Sequence, residues 1–305
     1  MQRHGSARAR RLSRSADFMA MFAVFCVLMV IPSGVTRLAS SDVRITSRLR
    51  GTVTVFQVRG PSDKTPHPVW VWRPPGPDSA SIPVMYLLHG YPGNGSQAFD
   101  SGLADILNQR LRQGYEPFVV ACPDGNGEHH SDTEWANSYD GTDRVMSRVV
   151  GPDVAAVEGP HRRARANRVI AGFSMGGYGA MNIAMQNPGM FGQVLSIDGY
   201  FIINDLSGMF GSDAAAVARN DPSAHPARAR GMHVILEEDS GDPLTLVRGQ
   251  AEWMGGLLAK AKVPATVRVA PGTHSWAFAL EALQDALPSV AAYWQQSAAR
   301  EASPS

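Results

Sequence analysis

The chain has 305 residues, 44% of them hydrophobic and 18% charged, and a formal net charge of +1. That is apolar material for a large core, which excludes intrinsic disorder over most of the length. The basic surplus is confined to the first residues and one long apolar run stands alone, which excludes a nucleic-acid partner and a polytopic membrane protein.

At the N-terminus, Arg3, Arg8, Arg10, Arg11 and Arg14 precede an uninterrupted apolar run, Phe18 to Ile31, that Pro32, Ser33 and Gly34 end. The run has 14 residues, short of the roughly 20 that a membrane span needs. Residues 1–40 therefore read as a secretory signal peptide cut near Ala39-Ser40, with the protein secreted or held in the cell envelope. An uncleaved signal anchor is the alternative, and it implies membrane association through residues 18–31. Arg10-Arg11 matches a twin-arginine signal only weakly, and bulky Phe25 before Cys26 argues against lipidation. Cleavage after Ser40 leaves 22 basic and 26 acidic residues and one cysteine, Cys122. Such a chain has no intrachain disulfide and depends on its core. Cys122 ends an apolar run and reads as a buried, inert thiol.

Residues 52–58 alternate apolar and polar side chains as a half-buried strand does, and residues 69–72 supply an antiparallel neighbour. A proline-rich surface connection, residues 74–83, follows. Short continuous apolar runs then recur at residues 83–88, 118–121, 169–172, 194–197, 234–236 and 266–269. Runs buried on both faces are what a central parallel sheet requires. Helical patterns lie between them at residues 98–112, 142–157, 176–186, 244–261 and 276–296. Alternating strands and helices predict an α/β sandwich, with one catalytic domain over residues 45–298 and a polar tail over 299–305.

Gly172-Phe173-Ser174-Met175-Gly176-Gly177 follows a buried run and opens a helix, the setting of a nucleophile elbow. The turn is so tight that a Cβ at the flanking positions would clash, so glycine stands there. It lifts the Ser174 hydroxyl above the sheet edge, over a helix start whose free N–H groups favour negative charge. A serine needs a base, and in this order of elements the acid and then the histidine follow it. His233 falls inside a predicted strand and His225 in an Ala/Pro/Arg-rich connection. His274 lies in Pro271-Gly272-Thr273-His274-Ser275-Trp276, between the last strand and the last helix, and is the predicted base. The acid belongs after the run ending at Leu236. Asp242 is favoured there, then Asp239, then Glu238, with the unused carboxylates expected as solvated loop charges. An oxyanion hole requires two backbone N–H groups. Met175 supplies one. The loop His89-Gly90-Tyr91-Pro92-Gly93 supplies the other from Tyr91, because Pro92 has no N–H.

Weaker candidates are His129-His130 with Asp132, whose adjacent histidines point apart and lack further spaced ligands. The stretch 125–139, with Trp135 and Tyr139, reads as a border of the substrate cleft or as a plain surface loop. Asn94-Gly95-Ser96 fits a glycosylation sequon and reads as a turn. No metal and no cofactor is expected.

Leu87-Leu88-His89-Gly90, the elbow with Tyr178-Gly179-Ala180, and the His274 loop together resemble the putative-esterase family of α/β-hydrolases over about residues 50 to 295. That family takes in S-formylglutathione hydrolases, feruloyl and acetyl-xylan esterases, enterochelin esterases and secreted mycolyltransferases. The resemblance implies an α/β-hydrolase three-layer sandwich with a mostly parallel central sheet, Ser174 as nucleophile, His274 as base and a small-molecule ester as substrate. The His274 loop looks like the mycolyltransferase branch, which keeps an acyltransferase acting on a sugar or alcohol as the alternative. His89-Gly90-Tyr91 and Ser174-Met175-Gly176-Gly177 depart from that branch and favour a serine esterase working through an acyl-enzyme.

Overall fold

The computed structural model describes residues 50–203, 207–244 and 246–302. The expected signal segment, residues 1–40, lies outside them. Eight strands form one sheet: β1 (Thr52–Val58), β2 (His67–Arg73), β3 (Val84–Leu88), β4 (Val119–Pro123), β5 (Arg168–Phe173), β6 (Gln193–Ile197), β7 (His233–Asp239) and β8 (Ala265–Ala270). Their spatial order is β1-β2-β4-β3-β5-β6-β7-β8. β1 and β2 are antiparallel, as is β2 against β4, and every other pair is parallel. This is the α/β-hydrolase sandwich that the sequence implies.

The helices are α1 (Gln97–Asp100), α2 (Leu103–Arg112), α3 (Val145–Arg148), α4 (Val154–Glu158), α5 (Met175–Gln186), α6 (Ala214–Arg219), α7 (Gln250–Lys260) and α8 (Trp276–Ala302). Side chains alternate across the strands, and the two faces sort the helices. Val84, Tyr86 and Leu88 of β3 share a core with Met181 and Ile183 of α5 and Met254 and Leu258 of α7. Met85 and Leu87 face the other way, against Leu103 and Leu107 of α2 and Leu283 and Leu287 of α8. Each such large side chain, fully buried, contributes about 1.5–3 kcal/mol.

Four boundaries differ from the sequence reading. The predicted helix over 98–112 breaks at Gly102, whose φ of 105° is left-handed, so α1 and α2 are separate. The predicted helix over 142–157 is α3 and α4 joined by a π turn, Val149–Asp153, around Pro152, which has no N–H to donate. The pattern over 244–261 becomes helical only at Gln250, after Gly249 at φ 77°. α8 runs on to Ala302, so the tail expected from residue 299 begins as helix. The run 266–269 is also not buried on both faces. β8 is an edge strand, and Val267 and Val269 are exposed. Arg268 beside them is held by Glu237, at 2.9 Å, and by Asp285.

Candidate active site

The carboxyl ends of β3, β5, β6, β7 and β8 open on the same edge of the parallel sheet. At β5 the chain turns into α5 through Ser174, whose φ of 58° and ψ of −120° are sparsely populated for a residue with a side chain. The flanking glycines are obligatory. A Cβ on Gly172 would sit 2.1 Å from the Gly176 carbonyl oxygen, and one on Gly176 would sit 2.2 Å from the Leu88 carbonyl oxygen. Ser174 N–H donates to the Ile197 carbonyl at 2.9 Å, tying the elbow to β6.

His274, in the loop between β8 and α8, brings Nε2 to 2.9 Å from Ser174 Oγ. Its Nδ1 lies 2.7 Å from Asp242 Oδ2. The other Asp242 oxygen accepts the Leu244 N–H at 2.7 Å, and Arg248 grips the Asp242 carbonyl at 2.6 and 3.0 Å. The Asp242 side chain therefore has its rotamer fixed. The Phe173 ring packs on the imidazole, with centroids 4.7 Å apart. Two loops must pass closely for this. A Cβ on Gly241 would meet the Gly272 carbonyl oxygen at 2.6 Å. Of the other two histidines after the elbow, His233 opens β7 and meets Gln193 Oε1 at 2.8 Å, and His225 turns Nε2 to the Ala218 carbonyl at 2.9 Å.

Glu238 and Asp239 are buried rather than solvated loop charges, which corrects the sequence expectation. The reason is that β7 runs on to Asp239, three residues past the apolar run. Glu238 accepts the Gly249 and Ala251 N–H groups at the start of α7, the latter at 2.8 Å. Asp239 offers its N–H to Asp198 Oδ1 at 2.7 Å. Burial, and then the Asp242 charge, push the Asp239 carboxyl up. Asp198, which the sequence reading did not single out, follows β6 and puts Oδ2 3.9 Å from His274 Nδ1. Burial first, and then the Asp239, Asp242 and Glu238 charges, push its carboxyl up to about 8, against the lowering by the Asp239 N–H.

On the other side of Ser174, the Gly90 backbone passes so close that a Cβ there would lie 3.0 Å from Ser174 Cβ. Tyr91 follows, with its side chain exposed. Met175 is the first residue of α5, so its N–H has no intrahelical acceptor. The loop carrying Gly90 and Tyr91 is pinned by buried His89. His89 Nε2 accepts the Gly125 N–H at 2.8 Å, which puts the ring proton on Nδ1, donated to the Gly90 carbonyl at 2.8 Å. Trp135 donates Nε1–H to the His89 carbonyl at 3.0 Å and packs its ring on the imidazole. Trp135 is thus a buried support of the loop, while Tyr139 stays exposed.

His130 turns Nδ1 to Asp143 at 2.8 Å, and the Glu128, His129 and His130 N–H groups converge on that same carboxylate. This is a closed turn held by one acid, and Asp132 makes no part of it. Cys122 is buried in β4, and burial pushes its thiol up. No helix among the described residues is long and apolar enough to cross a membrane.

Comparison with known proteins adds to this geometry. A family model described as "Putative esterase" matches residues 63–290. An acetyl esterase of Caldicellulosiruptor saccharolyticus is 27% identical over 132 residues, 43% of this chain and 47% of that protein. The match thus spans about half the length of that relative. Among solved structures, an S-formylglutathione hydrolase of Agrobacterium tumefaciens superposes with a TM-score of 0.69 at 20% identity, over 81% of this chain and 96% of the other. A ferulic acid esterase gives 0.68 at 21% identity, over 80% and 99%. A fluorophosphonate-binding serine hydrolase of Staphylococcus aureus gives 0.65 at 17% identity, over 79% and 99%. At these identities the structural matches speak for the fold.

Proposed function

The chain belongs to the Putative esterase family of carboxylic-ester hydrolases, and from that membership we propose that it is an exported serine esterase acting through Ser174, His274 and Asp242. One observation carries the reading: an unbroken relay from Ser174 Oγ to His274 Nε2 at 2.9 Å and from His274 Nδ1 to Asp242 Oδ2 at 2.7 Å.

In this reading His274 Nε2 takes the Ser174 proton as Oγ attacks the ester carbonyl carbon. Asp242 holds the imidazole in the tautomer with its proton on Nδ1, and stabilises the imidazolium that forms. The Met175 and Tyr91 N–H groups receive the carbonyl oxygen as it becomes an oxyanion, the former with the help of the α5 N-terminus. The imidazolium then gives its proton to the leaving alkoxide, and the alcohol departs. A water, deprotonated by the same nitrogen, attacks the acyl-enzyme, and collapse releases the acid and restores Ser174. Met175 directly follows the serine and Tyr91 follows Gly90, whose backbone passes close to Ser174, which supports these two N–H groups as the donors. The substrate is a small-molecule ester, and the names of the relatives direct the first panel to acetyl and feruloyl esters. The arginines and 14-residue apolar run at the N-terminus support export.

The test is Ser174→Ala, assayed on p-nitrophenyl acetate and with a fluorophosphonate label. Removing one member of such a relay costs about 10⁴-fold or more in turnover with the fold retained. Hydrolysis or labelling that persists in the folded variant overturns the reading. N-terminal sequencing of exported material, expected to begin near Ser41, tests the signal.

A further inference from the structure

Asp198 follows β6 at a φ of 47°, a left-handed conformation that costs a residue with a side chain. Its N–H donates to the Glu237 carbonyl at 2.8 Å. Its Oδ1 accepts the Asp239 N–H at 2.7 Å, a task that an asparagine would perform equally well. Its Oδ2 is different. That oxygen is fully buried, accepts no N–H or O–H among the described residues, and lies 3.9 Å from His274 Nδ1, with the Asp239 side chain in hydrogen-bonding contact with the Asp198 carboxyl. The imidazole nitrogen that turns away from Ser174 therefore faces two carboxylates, Asp242 in contact and Asp198 just behind it. One oxygen each from Asp198, Asp239 and Asp242 and one nitrogen of His274 lie within 4.8 Å of one another.

We propose that Asp198 is a second positioning carboxylate for His274, adding negative charge behind Nδ1 when it ionises and serving as the ring's acceptor when Asp242 is lost. The proposal rests on the Ser174–His274–Asp242 reading. A buried carboxylate oxygen that accepts no N–H is costly, and so is the left-handed backbone that carries it. The groups that face it are Asp239 and Glu238 from β7, Asp242 from the loop after β7, and His274 from the loop after β8. Four acids and one base cannot all be charged in so small a buried volume; Asp198 and Asp239 are both pushed toward their protonated forms, and Asp198 releases its proton as pH rises through about 8. That proton passes to solvent, and the new charge favours the imidazolium of the transition state. The catalytic advantage of Asp198 therefore grows on the alkaline side.

Two measurements test it. The first compares kcat/KM of the wild type and Asp198→Asn from pH 6.5 to 9.5, since asparagine keeps the acceptor for Asp239 N–H. The wild-type to variant ratio is expected to grow by about 3- to 10-fold across that range, an effect that a purely structural role would not produce. The second takes Asp242→Ala at pH 8.5. Alanine is used because an asparagine amide would face Nδ1 with a donor and enforce the wrong tautomer. Asp242→Ala is expected to stay about 10²-fold above His274→Ala, and adding Asp198→Ala, which likewise turns no amide donor toward Nδ1, is expected to remove at least about 10-fold of that remainder. A flat ratio across pH overturns the proposal. So does an Asp242→Ala variant as slow as His274→Ala, or a double variant as fast as the single one. Should Asp242→Ala fail to fold, because Leu244 N–H loses its acceptor, the pH ratio alone decides. Ser174→Ala and His274→Ala serve as floors, and activity in either would instead sink the proposed function.

Discussion

Asp153 lies in the π turn between α3 and α4, with no exposed surface and no hydrogen-bond partner for either carboxylate oxygen. Burial pushes its carboxyl up to about 7, opposed by the Arg148 guanidinium and assisted by the Asp63 and Asp124 charges. In the unfolded chain an aspartate titrates near 4. Between those values the native protein keeps a proton that the unfolded chain releases. The contribution of Asp153 to stability is therefore fully present below about pH 4 and is lost as pH rises through about 7. About three pKa units at roughly 1.4 kcal/mol each make that loss up to about 4 kcal/mol. Asp153→Asn removes the titration and keeps the shape. It also buries a second N–H without an acceptor, which costs about 1–2 kcal/mol at acid pH. The stability curves of wild type and variant should thus cross. Urea unfolding at half-unit steps from pH 4.5 to 8 is expected to move the difference by about 3 kcal/mol in the variant's favour. Other titrating groups are common to both proteins and cancel. Parallel curves would refute the reasoning, since they would mean that the carboxylate is ionised or solvated in the native state.

Gly172→Ala places a Cβ 2.1 Å from the Gly176 carbonyl oxygen, backbone against backbone, where no rotamer change gives relief. A loss of about 3 kcal/mol or more, or an insoluble product, is expected, and an unchanged melting temperature would contradict the steric account of the elbow. Glu238→Gln weakens the acceptors at the start of α7 and is expected to lower stability by about 1–2 kcal/mol while turnover stays within about twofold. A collapse of turnover in the folded variant would return Glu238 to contention as the partner of His274.

The elbow is legible in the sequence because two backbone collisions dictate glycine at 172 and 176, so the requirement is written in residue type. His274 is legible because a loop between the last strand and the last helix opens at the same sheet edge. The acid is less so. Where a strand ends depends on what its last residues pack against, and β7 carries Glu237, Glu238 and Asp239 past the point where apolar residues stop. Glu237 is compensated by Arg268 and Glu238 by the start of α7, partners that local sequence does not announce. Charge in a strand then reads as loop, and its burial goes unseen. Asp198 is missed for a different reason. Ile197-Asp198-Gly199 places an acid after a buried run, the same signal as at β7, but one acid after one buried run already satisfies the order Ser, acid, His, so the residue order offers no reason to expect a second. The break at Gly102 and the π turn at Pro152 are likewise decided by one residue within an otherwise helical pattern.

Ser174 and His274 stand 100 residues apart in the chain, and His274 and Asp242 stand 32 apart. Contacts at such separation are slow to form, because a long loop must close before they reward it. During synthesis the elbow leaves the ribosome long before the proposed base, His274, which is positioned by the loop between β8 and α8. A truncated or half-closed chain thus holds a serine with nothing to deprotonate it. Secondary structure measured by circular dichroism would already be largely present in such a species. Turnover of a chromogenic ester would not, so for this chain enzymatic activity is a stricter gauge of complete folding than helix content.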